Sequence, residues 1–132
     1  MDFRLKVHPH RARGYVQGIE AEEGKHWCCT QYETVRKGQW KHEFVVDMDC
    51  EHQRTEIADC EYSSLVRLAQ SIRIPLGIDL APEVRLGGTL YWLLRDYGTS
   101  SATFMWSGEV PSGWDGLASV AERIQDLCTG PS

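Results

Sequence analysis

The segment Val46-Asp47-Met48-Asp49-Cys50-Glu51-His52 brings carboxylate, thioether, thiol and imidazole groups together within seven residues. Three chemistries are open to such a set. The first is hard-cation binding. Asp47, Asp49 and Glu51 alternate, so an extended chain projects them from one face, and calcium or magnesium takes several oxygen ligands. An extended strand cannot wrap its own carboxylates around one ion, however, and no glycine-kinked loop of the EF-hand kind follows. The acids read as a solvated patch.

Zinc is the second chemistry. His8-x-His10, His26-x-Cys28 and Cys50-x-His52 each place two ligand types two residues apart, and zinc needs four such groups at about 2.0–2.3 Å. Pro9 interrupts the first pair. Cys28 and Cys29 are adjacent and point to opposite faces of a strand, and no C-x₂₋₄-C knuckle exists. Surface histidines and core cysteines are the commoner fates.

The third is a Cys–His nucleophile, drawn from Cys28, Cys29 or Cys50 with His26 or His42. No nucleophile elbow, Walker loop, G-x-G-x-x-G or H-E-x-x-H supports it. "SGEVPSGWDG" reads as a turn. No catalytic residue, metal ligand or cofactor is assigned from these patterns.

The elements that must position these groups follow from periodicity. Phe3, Leu5 and Val7 alternate with Arg4, Lys6 and His8, the period of a half-buried strand. A short strand fits "YVQ", and "EAEEG" is a polar turn. "HWCCTQYETV" and "WKHEFVVDMD" around "RKGQ" read as a hairpin. In its second strand Trp40, His42, Phe44, Val46, Met48 and Cys50 share one side. Lys41, Glu43, Val45, Asp47, Asp49 and Glu51 share the other. Strand alternation therefore accounts for most of the opening segment, with Met48 and Cys50 on the buried face.

Beyond Thr55 the period becomes helical. Leu65, Leu68, Ala69 and Ile72 form one apolar stripe over residues 61–73, with Asp59 or Ser63 as cap and Pro75 and Gly77 as breakers. "LYWLL" and "ATFMW" form a second hairpin, apolar on both faces and hence expected at the sheet's centre. A last helix over 114–128 places Leu117, Val120, Ala121, Ile124, Leu127 and Cys128 on one face, capped by Asp115 or Ser112. Cys50 and Cys128 are expected to be buried thiols, free of metal and disulfide. Two helices with one stripe each, and one antiparallel sheet, predict an α+β two-layer sandwich. Both helices lie on the same sheet face, in one domain spanning 1–132.

Bulk properties narrow the class. At 132 residues, 42% hydrophobic and 25% charged, the chain matches a globular protein. Its net charge of −5 argues against nucleic acid as partner. The absence of a long apolar run argues against a membrane. Five cysteines without scaffold spacing, and no secretory h-region, point to reduced thiols in a cytoplasm. Trp92 and Trp106 read as core or cross-strand partners. Trp27 and Trp40 pair across the first hairpin or stand on the face that the helices leave open.

From the first helix onward, "SSLVRLAQSI", "LYWLLRDYGTSSATFMWSGEVP" and "WDGLASVAERIQDL" follow one another in an order that resembles the emfourin-type domains of bacteria. The resemblance covers about the last half of the chain. It implies a small intracellular inhibitor of thermolysin-like metallopeptidases and carries over no inhibitory residue. The first half, with its long cysteine-bearing hairpin, departs from that pattern.

Two function classes follow. The first is a non-enzymatic protein-binding module, inhibitor-like or immunity-like, acting on a protein partner such as a peptidase or toxin. Its binding residues would be Trp27, Trp40, Lys41, Glu43, Asp47 and Asp49 on the open sheet face. The second is a small metal-dependent or Cys/His enzyme using groups around the first hairpin.

Overall fold

The computed structural model describes residues 3–9, 13–37, 44–74, 89–96 and 98–129; for 35–37 and 44–52 the description is of the backbone alone. Six strands, β1 (Phe3–His8), β2 (Tyr15–Glu22), β3 (Lys25–Lys37), β4 (Phe44–Ile57), β5 (Leu90–Asp96) and β6 (Ser101–Ser107), form one antiparallel sheet. Helix α1 (Asp59–Ser71) lies between β4 and β5 in sequence, and α2 (Asp115–Thr129) follows β6. The strand order is β4-β3-β2-β1-β5-β6.

Alternation along β1 sets the two faces. Phe3, Leu5 and Val7 are buried while Arg4, Lys6 and His8 are exposed. Residues opposite one another in a ladder share a face, so register carries this division across the sheet. Leu5 pairs with Gln17 and Leu93, and Phe3 with Ile19, which in turn faces Cys28. That row meets the helices. Leu65 of α1 and Ile124 of α2 are both fully buried, in one core with Leu117, Val120, Trp106 and Cys128. Leu68 and Ile72 pack at its margin. Both helices thus cover the same sheet face, as the single stripe on each requires. Among the described residues no helix is long and apolar enough to cross a membrane.

Four local expectations are corrected. The β5–β6 hairpin is not central: β1 and β2 occupy the middle, and β6 is an edge. Its apolar run misled because Met105 is 59% exposed, which a central strand would not permit. β2 extends well past "YVQ" to Glu22. Ala58, with no side-chain cap bond, occupies the N-cap of α1, and Asp59 and Glu61 lie in the first turn, where carboxylates oppose the positive end of the helix dipole. Finally, the β3–β4 register jumps from Gln31↔His52 to Glu33↔Met48. Tyr32 alone spans the stretch opposite Asp49, Cys50 and Glu51. The segment from Val46 to His52 is therefore a bulged irregularity and not a plain strand, a device that bends and twists an edge.

Candidate functional site: the helix-free sheet face

Every residue one step out of phase with the core points away from the helices. Lys6 lies opposite Trp92, which faces Met105 in β6; on its other side Lys6 faces Val16, which pairs with Gln31. The next row runs Thr103, Leu94, Arg4, Gly18, Cys29 and Arg54. The β5–β6 side of this face is apolar, with Trp92, Leu94 and Met105. The β2–β4 side interleaves charge with one tryptophan.

That tryptophan is Trp27, half-buried between Glu20 and Glu56 in the ladder. The Arg54 guanidinium lies 4.6 Å from its ring centroid and is bonded to the Glu22 carboxylate. A planar cation stacked on an indole and held by a carboxylate is pre-organised, because its rotamer is already restricted. Lys25 and Glu56 pair at 3.6 Å beside it. The Cys29 thiol donates to Glu20 Oε2 at 3.5 Å, and partial burial together with that carboxylate pushes its pKa up.

A second cluster centres on Glu33, whose side chain is only 8% exposed although no helix covers it. Gly14 provides its seat. A β-carbon at Gly14 would stand 2.5 Å from Glu33 Oε2 and 3.1 Å from His8 Nδ1. The carboxylate lies 3.6 Å from Lys6 Nζ and 3.8 Å from His8 Nδ1. Lys6 Nζ in turn lies 5.3 Å from the Trp92 ring centroid. Among the described residues the face thus carries two tryptophans, each beside a cation that a carboxylate fixes.

Of the residues assigned from sequence, Trp27 is on this face. Trp40, Lys41 and Glu43 lie outside the described residues. Asp47 and Asp49 belong to the backbone of β4, where Asp47 pairs with Thr34, and their side chains lie outside the described part, as does that of Cys50. Sequence reasoning missed Arg54, Glu33, Lys6 and Trp92 as neighbours. Only the register brings them together.

His26, Cys28 and Cys128 serve the core. His26 stacks on Tyr62 at 3.7 Å, with Nδ1 3.6 Å from Asp59. Cys28 and Cys128 are both buried and free. Their mutual hydrogen bond, followed by burial, pushes the Cys28 pKa up, the opposite of what activates a nucleophile. Among the described residues no group of three or more His, Cys, Asp or Glu converges as metal ligands would. Thiol labelling of the native protein should therefore separate two classes: exposed Cys60 reacts quickly, and Cys28 and Cys128 react at least about a hundredfold more slowly, limited by opening of the core. Mass spectrometry of the labelled peptides reads this directly. Rapid modification of Cys128 would show that α2 does not close over β3.

On the helix side a cleft of about 450 Å³ lies between α2 and the β5–β6 hairpin. Tyr91 and Trp106 stack at 5.3 Å and line it with Glu109, Asp115, Glu122 and Gln125. Carboxylates around an aromatic wall suit a basic side chain. Comparison with known proteins finds no matching family model, curated protein or solved structure.

Proposed function

We propose that this protein is a non-enzymatic binding module, inhibitor-like or immunity-like, that engages a protein partner through its helix-free sheet face. One observation carries the reading. Trp27 stands beside Arg54 and Trp92 beside Lys6 on the uncovered face, and Trp92 pairs across the ladder with exposed Met105. Tryptophan, arginine and methionine are the residues enriched in protein interfaces, and pre-ordered aromatics supply most of the affinity. Asp47 pairs with Thr34, one step out of phase with Glu33 on the open face, so the acids Asp47 and Asp49, with neighbouring Glu43, are proposed to act from the β4 edge, steering the approach of a partner with a basic rim. Trp40 and Lys41 are further contacts proposed for the partner. A bacterial cytoplasmic setting suits the free thiols. The emfourin-type resemblance makes a thermolysin-like metallopeptidase the first partner to assay, and a toxin the second.

The test is capture of a partner from host lysate, followed by binding measurements with purified components. Trp27→Ala should weaken binding by about 2 kcal/mol, the hot-spot threshold. Asp47→Lys with Asp49→Lys should slow association and lessen its salt dependence. Each variant must retain the parent's unfolding transition. The acidic cleft supports a second reading, in which a basic side chain of the partner enters between Glu109 and Glu122. Normal binding by both face variants, with binding abolished by Glu122→Lys, would select the cleft and overturn the face.

A further inference from the structure

β6 has the composition of a central strand and the position of an edge. Its seven residues, SATFMWS, contain no charge and no proline. Ser101, Thr103 and Met105 are exposed. Natural edges are normally blunted by charge, proline or bulges, because an unpaired row of N–H and C=O groups recruits another strand. The opposite edge shows those devices: β4 carries Asp47, Asp49, Glu51, Arg54 and Glu56, and its ladder is interrupted. Among the described residues one edge is guarded and the other is open.

The hydrogen-bond phase shows which groups wait there. The Gly108 N–H donates to Thr89 O at 2.8 Å, one step beyond the Leu90↔Ser107 pair. Bonded and non-bonded pairs alternate in an antiparallel ladder. Ala102, Phe104 and Trp106 therefore turn their main-chain groups toward β5. Ser101, Thr103, Met105 and Ser107 direct theirs outward, and among the described residues no strand lies on that side.

We propose that a second copy of this chain pairs with β6 in antiparallel fashion, about a two-fold axis at Phe104. That axis alone engages the whole strand, and it sets the outward groups of both copies at bonded positions. It also matches side chains by size. Trp106 meets Ala102 of the second copy, Met105 meets Thr103, and Ser107 meets Ser101. An isologous contact brings identical surfaces together, so charge in the strand would oppose it, and β6 has none. Glu109, the nearest acid beyond the strand, falls opposite Thr99 and not opposite itself. No covered site is needed; the Met105 side chain is shared with the proposed partner surface, whereas the paired main-chain groups lie on the outer edge of β6.

Sedimentation equilibrium of the full chain tests this. The wild type should sediment at twice the chain mass, with a dissociation constant of about 1–100 μM, the range for a contact of limited area. Thr103→Lys with Met105→Lys places like charges opposite one another twice and should raise that constant at least tenfold. Thr103→Glu with Met105→Lys places opposite charges there and should restore dimerisation. Thr103→Pro removes only an outward N–H, so it should separate the copies while preserving the parent's unfolding transition; it decides the matter if the lysine pair fails to fold. A monomeric wild type at about 1 mM, well above that range, would overturn the proposal. So would a dimer indifferent to Thr103→Pro, or equal dissociation by the Lys/Lys and Glu/Lys variants.

Discussion

Replacing Ile124 by alanine is expected to lower the unfolding free energy by about 3–4 kcal/mol, the range for a fully buried large-to-small change. Ile124 has no exposed surface and lies at the centre of the stripe by which α2 meets the sheet. Its removal loses transfer free energy and leaves a cavity. The surrounding groups are poorly placed to fill it: β2, which meets α2, is fixed by ladders on both sides, and Leu65 of α1 in the same core is itself fully buried. Leu127, on the same helix but only packed against the core margin, should lose about 1 kcal/mol on the same truncation, since part of its surface is already in water. Urea unfolding of both variants gives the comparison. The midpoint should fall while the slope stays constant. Similar losses for the two positions would mean that the core is not centred where α1 and α2 meet.

Gly14→Ala is expected to cost about 3 kcal/mol, near the upper end for overpacking a well-filled site. The new methyl group would occupy the seat of the Glu33 carboxylate, 2.5 Å from Oε2 and 3.0 Å from Cδ. Gly14 also accepts the Glu33 N–H at 2.9 Å through its carbonyl, so the two backbones cannot easily separate. The carboxylate must leave, and its contacts with Lys6 and His8 go with it. Gly24→Ala supplies the control. Gly24 has a φ of +75° and open space where a β-carbon would stand, so that change carries only the backbone strain of an L-residue there, about 1–2 kcal/mol, and no clash. Combining Gly14→Ala with Glu33→Ala should cost less than the sum of the two single changes, because the second truncation clears the space the first requires. Additive losses would show that Gly14 is needed for its backbone alone and is not the seat of Glu33.

Much of the architecture was legible because it depends on local period. The alternation of Phe3, Leu5 and Val7, and the stripes through Leu65 and Ile124, each identify an element and its buried side. With two one-sided helices and one sheet, the two-layer arrangement follows. Register was not legible. Glu33 and Gly14 are far apart in sequence, and nothing near either residue says that one lacks a side chain because the other needs the room. The pairing of Lys6 with Trp92 depends on β1 lying beside β5. The β5–β6 hairpin was misplaced for a related reason. An apolar strand can be buried by neighbours within its own chain or by something beyond it, and composition does not distinguish the two. Trp27 was recognisable as an aromatic of the first hairpin that pairs across it or stands on the face the helices leave open. Its companion Arg54 was not, because a bulge of unknown length separated it from any register counted from the hairpin turn.

The place of β1 between β2 and β5 has a kinetic side. β2, β3 and β4 follow one another as a meander and can form as each is completed. The strand made before them has one neighbour immediately and must wait for Leu90–Asp96 to receive the other. Closing so long a loop costs entropy before any contact repays it, and folds dominated by distant pairings fold slowly. During synthesis β1 would emerge early, with the apolar face of Phe3, Leu5 and Val7 only half sheltered. The basic residues on its other face, Arg4 and Lys6, then act as gatekeepers that hinder wrong strand pairings. A permuted chain that begins at β2 and carries β1 after β6 would make the pairing with β5 the local one and the pairing with β2 the distant one. It should fold at a similar rate, with the order of the two pairings exchanged.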